Sequence, residues 1–294
     1  MNSLYLNVTD FCNMRCEYCY GNHGQYYKKK HIKNMSFKTA CKAIEIAMNL
    51  YNHLRIVFFG GEPLLNFGLI EQLVKKYSGQ AHFCIITNGL LLNDKILHFF
   101  ISQNFSITIS FEGNYEAQSF RKDANNRSTY SQVLERIALL DSMDWPYNIR
   151  MTLFRNNVDI GARLHSLENF KNIREIRVQF CSPTNSICDL TPSDMLEYTS
   201  NIESASESPL FNKCMLPQDS PHSNAICTMG ITGFSVDTNG YVYPCYRFIG
   251  KRKFCLGHIS NFSSKNLWCT AILEKKSGTI PNYCFADYYI SLNE

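Results

Sequence analysis

Six short apolar runs alternate with amphipathic stretches between Leu4 and Phe180, and this alternation constrains the fold more than any other feature of the chain. The runs are Leu4–Val8, Arg55–Phe59, His82–Ile86, Phe105–Ser110, Asn148–Leu153 and Ile173–Phe180. They are rich in β-branched and aromatic residues and too short for helices, so they read as strands. Between them the spacing predicts helices over Phe37–Leu50, Glu71–Tyr77, Asp94–Ser102 and Tyr130–Leu140, with another between the fifth and sixth strands. Ser36 reads as the N-cap of the first helix, which carries Ala40, Ala43, Ile44 and Ala47 on one face. Strands joined by helical crossovers pair in parallel, because no tight turn can make that connection. The expected fold is therefore α/β, a partial (β/α)6 TIM-like barrel over residues 1–185. Functional residues of such barrels sit at the C-terminal ends of the strands. The unusual residues here fall there: a cysteine loop after the first strand, GGEP after the second, TNG after the third and SFEG after the fourth.

Beyond residue 185 the pattern changes. Pro, Ser and Asn become frequent as far as Ser223, so residues 186–226 read as a linker or bridging segment. Residues 227–294 are rich in Cys, Gly and aromatics and read as a small C-terminal module. In it, Phe234–Val236 and Tyr241–Tyr243 flank Asp237-Thr-Asn-Gly240, a hairpin signal. So short a segment makes a thin core, and metal is the expected source of its stability.

The bulk properties exclude several classes. The net charge of +4 is mild, and the basic run from Lys28 to Lys33 is short enough to be a solvated loop, so no nucleic-acid partner is expected. The start of the chain lacks a charged segment followed by an apolar one, and no apolar run reaches the ~18 residues of a membrane span. A cytoplasmic protein without a membrane partner is expected. Thirteen cysteines without a secretory signal argue against a disulfide framework and for metal ligation or redox chemistry.

Three of those cysteines, Cys12, Cys16 and Cys19, read C-x3-C-x2-C in the stretch CNMRCEYC. The spacing is too tight for paired CxxC zinc knuckles and suits three thiolates around one cubane cluster. Three ligands for four irons leave one iron open, which makes a site for chemistry, whereas a structural metal site is closed.

These residues together resemble the radical S-adenosylmethionine (SAM) superfamily. The likeness is carried by the cysteine triad after a first strand, with Tyr18 just before the third cysteine, and by Gly60-Gly61-Glu62-Pro63, which matches the GGEP motif. Thr87-Asn88-Gly89 matches the third-strand ending, and Ser110-Phe111-Glu112-Gly113 with Arg121 is similar to an SxDG…R stretch with Glu in place of Asp. The resemblance implies a 4Fe–4S cluster on Cys12, Cys16 and Cys19 that binds SAM at its open iron and cleaves it with one electron to a 5′-deoxyadenosyl radical. It also implies backbone groups of the GGEP turn, with Glu62, at the methionyl ammonium. Ser110 and Arg121 are expected at the SAM carboxylate, Arg as a charge-assisted donor, with Asn88 nearby and Tyr18 near the adenine.

Cys227, Gly240 and Cys245 resemble the start of the SPASM/Twitch auxiliary-cluster pattern of the same superfamily. The chain lacks the dense later cysteines of a full SPASM domain, so the resemblance implies the shorter, Twitch-like form with one auxiliary 4Fe–4S cluster on Cys227, Cys245 and Cys284. The fourth ligand is left open among Asp287, Cys255, Cys269 and an unligated iron. Cys41 and Cys84 fall on a helix and a strand and read as buried small hydrophobes. Cys181 ends the sixth strand, facing the site, where it packs or gives a hydrogen atom to a substrate radical. Cys188 and Cys214 carry no assignment, and His23, His31, His222 and His258 show no ligand spacing.

By resemblance, the expected activity is hydrogen abstraction from a ribosomally made peptide, leading to a crosslink, thioether, epimerised residue or oxidised side chain. An external one-electron reductant such as flavodoxin or ferredoxin is implied. Strand one begins near residue 4, which leaves no preceding peptide-recognition domain in this sequence, so a leader would bind the barrel or a separate protein. The alternatives are a Twitch-type dehydrogenase of a small molecule and a non-catalytic iron–sulfur sensor. The second is disfavoured because a sensor has no need of a SAM site.

Overall fold

The six apolar runs form six parallel strands of one sheet. The protein is described by a computed structural model over residues 2–24, 32–181, 186–216 and 232–262. Its strands are β1 (Asn2–Thr9), β2 (Met14–Cys16), β3 (Leu54–Gly60), β4 (His82–Thr87), β5 (Ser106–Ser110), β6 (Arg121–Asp123), β7 (Tyr147–Leu153), β8 (Ile173–Phe180), β9 (Cys214–Met215), β10 (Gly233–Val236), β11 (Tyr241–Tyr243) and β12 (Gly257–His258). The helices are α1 (Phe37–Leu50), α2 (Phe67–Tyr77), α3 (Asp94–Ser102), α4 (Tyr115–Gln118), α5 (Tyr130–Ser142), α6 (Ile160–His165) and α7 (Pro192–Ala205). The large sheet runs β12-β11-β10-β1-β3-β4-β5-β7-β8-β9. From β1 to β8 every neighbouring pair in it is parallel, which is the expected partial barrel.

The strand and helix patterns explain where the core lies. Along β1, Leu4, Leu6 and Val8 are fully buried, while Tyr5 turns to the opposite face and lines the barrel lumen. The Oγ of Ser36 accepts the Thr39 amide at 3.1 Å and caps α1. The small side chains Ala40, Ala43 and Ala47 bury beside Ile44 and let this helix lie close to the sheet. Phe58, Phe83 and Phe105 stack on one another with ring centroids 5.6–6.1 Å apart, joining β3 and β4 to the entry of β5.

Three features depart from the sequence expectation. Segment 186–226, expected as a linker, contains α7, which opens with a capping box between Thr191 and Asp194. Part of the Pro, Ser and Asn content that suggested a linker, from Pro192 to Ser204, falls in this helix, which buries only Asp194, Tyr198 and Ala205; Pro217, Ser220, Pro221 and Ser223 lie outside the described residues. A second departure is a two-stranded antiparallel sheet of β2 and β6, which joins the cysteine loop to residues 121–123. The third concerns the hairpin. It forms over β10 and β11, but β10 also pairs in parallel with β1, so residues 233–243 extend the barrel sheet. The hairpin turn is tied to the cysteine loop as well, because Thr238 Oγ1 donates to Asp10 Oδ2 at 2.8 Å.

Phe58 is fully buried within the aromatic stack. Phe58→Ala is expected to lower the unfolding free energy by about 3–5 kcal/mol, read as a shift of the urea midpoint at unchanged slope.

Candidate active site at the strand ends

The loop that follows β1 has little regular structure of its own, and neighbouring elements hold it. Gly61 N donates to Thr9 O at 2.9 Å and Glu62 N to Phe11 O at 2.8 Å, so the end of β3 continues the pairing of β1 up to Cys12. Side chains at Gly60 and Gly61 would overlap Thr9 O and Phe11 O, and Gly60 has a φ of +153°. The bare faces of these glycines therefore meet the cysteine loop, while both residues also line the pocket above it. On the far side β2 pairs with β6, placing Cys16 directly opposite Arg121. The Met14 amide lies 3.5 Å from Cys12 Sγ and the His23 amide 3.2 Å from Cys19 Sγ, each as donor.

Cys12, Cys16 and Cys19 line one pocket together with Tyr18, Gly60, Gly61, Asn88, Ser110, Arg121 and Cys181. Burial pushes the Cys12 thiol up to about 12 and the Cys16 thiol up to about 11, with Arg121 pulling Cys16 back down. Left alone these groups stay protonated, and a bound cation displacing the proton makes them thiolates. Among the described residues no three His, Cys, Asp or Glu side chains converge as on a single metal ion. A four-iron cluster takes one thiolate per iron, so its ligands ring a volume and need not meet at one point. Three thiols around a pocket, two of them receiving N–H···S bonds, fit such a cluster as a donor set.

A buried charge network forms the opposite wall. Glu112 is fully buried and accepts from Tyr18 OH at 2.5 Å, the Thr152 amide at 2.6 Å, Arg163 Nη1 at 3.2 Å and Arg121 Nη1 at 3.3 Å. Arg121 Nη1 also donates to Tyr18 OH at 3.2 Å. The buried Nε of Arg121 has no partner, so a guanidinium on the pocket wall keeps a donor for a ligand. That observation suits the carboxylate role expected of Arg121. The Tyr18 ring stacks on Phe154 with centroids 4.9 Å apart. Sequence reasoning missed Glu112 and Arg163 as a linked pair. The Glu in SFEG was the available signal, because an acidic residue at the end of a buried strand needs partners.

Glu62 and Pro63 are placed differently from expectation. Both are buried, and neither is on the pocket wall. Glu62 accepts from Leu64 N at 3.1 Å, Thr87 Oγ1 at 2.7 Å and Asn88 N at 2.7 Å, so it braces the end of β3 against the end of β4. Asn88, held in this way, lines the pocket and donates through Nδ2 to Asn13 Oδ1 at 2.7 Å. Burial pushes the Glu62 carboxyl up to about 7, against the three donors and Arg121, which pull it down.

Cys181 reaches the pocket as expected, but it is joined to Cys188 in a disulfide. In that state it has no S–H to give, and the pair packs beside Tyr18 and Phe154. It is the one disulfide among the described residues, where the sequence argues against a disulfide framework. Cys41 and Cys84 are buried. Cys245 is buried with Phe59, Tyr243, Phe248 and Ile249, and Cys255 packs against the same cluster. Cys227, Cys269, Cys284 and Asp287 lie outside the described residues.

Comparison with known proteins agrees with this geometry. The model of the radical SAM superfamily matches residues 6–167, more than half of the chain. The serine-type anaerobic sulfatase-maturating enzyme of Bacteroides thetaiotaomicron is 32% identical over 179 residues, covering 58% of this chain and 43% of that one. The GTP 3′,8-cyclase of Alkaliphilus metalliredigens is 38% identical over 183 residues, covering 59% and 52%. The chain thus spans about half the length of the curated relatives it matches. The structure of native anSMEcpe with bound AdoMet and Cp18Cys peptide superposes with a TM-score of 0.75 at 20% identity, covering 93% of this chain and 81% of that one. The protein belongs to the radical SAM superfamily. A bound 4Fe–4S cluster with SAM supplies one-electron cleavage and a carbon radical; Cys12, Cys16 and Cys19 would hold the cluster, and Ser110, Asn88 and Arg121 would face SAM.

Two outcomes are expected. Glu112→Ala leaves two guanidinium groups without their buried carboxylate and should destabilise the fold by about 3–5 kcal/mol in urea melts. Glu62 has a folded pKa of about 7 against an ordinary 4.5, so the folded state holds the extra proton between those values. Its contribution to stability is present at low pH and is lost as pH rises through that window. In Glu62→Gln that part of the pH slope should vanish, as measured by melting temperature across pH 4.5–7.

Proposed function

We propose that the protein is a radical SAM enzyme that abstracts hydrogen from a ribosomally made peptide. The observation that carries this reading is a cavity that does not end at the cysteines. The cysteine pocket continues into the open barrel lumen through Tyr5, Ile86, Arg150, Gln179 and Tyr246, which line both. This leaves room beside the SAM site for an extended substrate. The likeness to a sulfatase-maturating enzyme and to a fold solved with a peptide bound supports the reading. The protein's own part is to position: Arg121, Ser110 and Asn88 orient SAM, while Tyr18, Phe154 and Phe59 keep water from the pocket wall.

One auxiliary 4Fe–4S cluster on Cys227, Cys245 and Cys284, as in Twitch-type relatives, belongs to the same proposal, its fourth position left among Asp287, Cys255, Cys269 and an unligated iron. Partly buried Cys255 packs against the cluster of side chains that buries Cys245, which is in keeping with a role for it there. A flavodoxin- or ferredoxin-type donor supplies electrons in this reading, and a peptide leader binds either the barrel or a separate protein. No helix among the described residues is long and apolar enough to cross a membrane; a reducing cytoplasm suits the clusters. A small-molecule oxidoreductase is the second reading; the likeness to a GTP 3′,8-cyclase supports the small-molecule substrate in it.

The test is incubation of reconstituted protein with SAM, dithionite and short peptides encoded beside its gene. A mass or chirality change in a peptide, matched by 5′-deoxyadenosine, is expected; deoxyadenosine formed with every peptide unchanged would sink the peptide reading. Iron analysis should give about eight irons per chain, falling to about four in Cys245→Ala. Replacing Cys12, Cys16 or Cys19 with Ala should abolish deoxyadenosine formation.

A further inference from the structure

The barrel lumen below the cysteine pocket is strongly basic. Four guanidinium groups line it, from Arg55, Arg150, Arg174 and Arg177, against the single carboxylate of Glu175. Glu175 pairs with Arg177 at 2.6 Å. The other three arginines have no ion-pair partner among the described residues. Arg55 donates through Nε and Nη2 to Ser3 Oγ at 3.1 and 3.0 Å, and Arg174 through Nε to Asn148 Oδ1 at 3.3 Å. Arg150 lies over the Tyr246 ring, 5.8 Å from its centroid. All three are therefore held by neutral groups, which orient the guanidinium without neutralising it.

Such an arrangement is costly for a fold that has no use for it. Like charges gathered in a concave wall repel one another and raise the local positive potential. The effect is already felt inside the protein, because Arg55 and Arg174 act with burial to lower the pKa of His82. A cavity of this kind is completed by an anion. Planar guanidinium groups match a carboxylate in two-pronged fashion. The neighbouring lining groups are the hydroxyls of Ser106 and Thr108 and the amide of Asn148, with neither a lysine nor a glycine-rich backbone cradle of the kind that seats phosphates.

We infer that the lumen is the docking site for a carboxylate of the substrate, so that the peptide proposed above is acidic next to the residue that is modified. This inference rests on the peptide reading and adds its chemical class. Arg150 lines both the lumen and the cysteine pocket. A side chain anchored on Arg150 therefore holds the adjoining residue at the mouth of the SAM site, while Arg55 and Arg174, near the N-terminal ends of β3 and β8, carry the basic wall away from it. Arg55 and Arg174 act on the lumen side alone, which makes them the useful probes.

The test is fluorescence anisotropy on the cluster-loaded protein with SAM. The probes are a labelled glutamate-rich peptide, its glutamine counterpart of equal length, and guanosine triphosphate as competitor. The glutamate peptide should bind at least about tenfold more tightly than the glutamine peptide. Arg55→Gln and Arg174→Gln should each remove about tenfold of that preference, with Arg55→Lys and Arg174→Lys restoring part of it and melting temperatures confirming that all four variants are folded. Added salt should weaken the glutamate peptide far more than the glutamine one. Equal binding of the two peptides overturns the carboxylate site and leaves the peptide reading standing. Arginine-dependent binding of guanosine triphosphate without binding of either peptide overturns the peptide reading and this inference with it.

Discussion

Glu112 has no contact with solvent and accepts four hydrogen bonds, from Tyr18, Thr152, Arg121 and Arg163. Each donor comes from a different part of the chain. Tyr18 belongs to the cysteine loop, Arg121 to β6, Thr152 to β7 and Arg163 to α6. A carboxylate buried alone is costly, and here two guanidinium groups, a phenol and a backbone amide satisfy it and fix it in one geometry. The reverse also holds, since Arg163 is itself fully buried and depends on Glu112, Thr152 and Asn157. The far wall of the cysteine pocket is therefore a set of buried polar groups that depend on one another for their partners.

The near wall is organised by backbone. The cysteine loop is pinned by the glycine turn after β3 on one side and by the β2–β6 pairing on the other. Glu62 then ties that glycine turn to Thr87 and Asn88. The three motifs that follow β1, β3 and β4 thus form one hydrogen-bonded unit. In GGEP the two glycines admit the loop and line the pocket, as Asn88, Ser110 and Arg121 do, and the acid braces the next strand.

The barrel was legible because its strands and helices obey simple periods. Leu4, Leu6 and Val8 alternate with Tyr5 and Asn7, and the α1 face of Ala40, Ala43, Ile44 and Ala47 repeats at helical spacing. The cysteine triad was legible because its spacing has few other uses. Features that depend on tertiary pairing were not. Met14–Cys16 is only three residues long, and nothing local marks it as a partner of Arg121–Asp123. Helix α7 buries too few apolar residues to leave a periodic trace. Nor could the hairpin sequence show that β10 would join β1, because parallel pairing leaves no signature at the turn. The lumen arginines lie on four places along three strands, and only the curvature of the sheet brings them together.

The sheet order has a consequence for association. A partly open barrel has two edges, and an exposed edge of unpaired backbone invites another chain to add a strand. Here the terminal strands of the sheet are β12 and β9, each two residues long. Inside them, β10 pairs with Ser3–Leu6 of β1, whereas β9 pairs with only Ile176 and Arg177 of the eight-residue β8. Among the described residues, then, the two borders are unequal: the hairpin side ends in a stub too short to template an intermolecular ladder, while beyond its two pairs with β9 the outer edge of β8 has no strand partner, which makes this border the more open to an added strand.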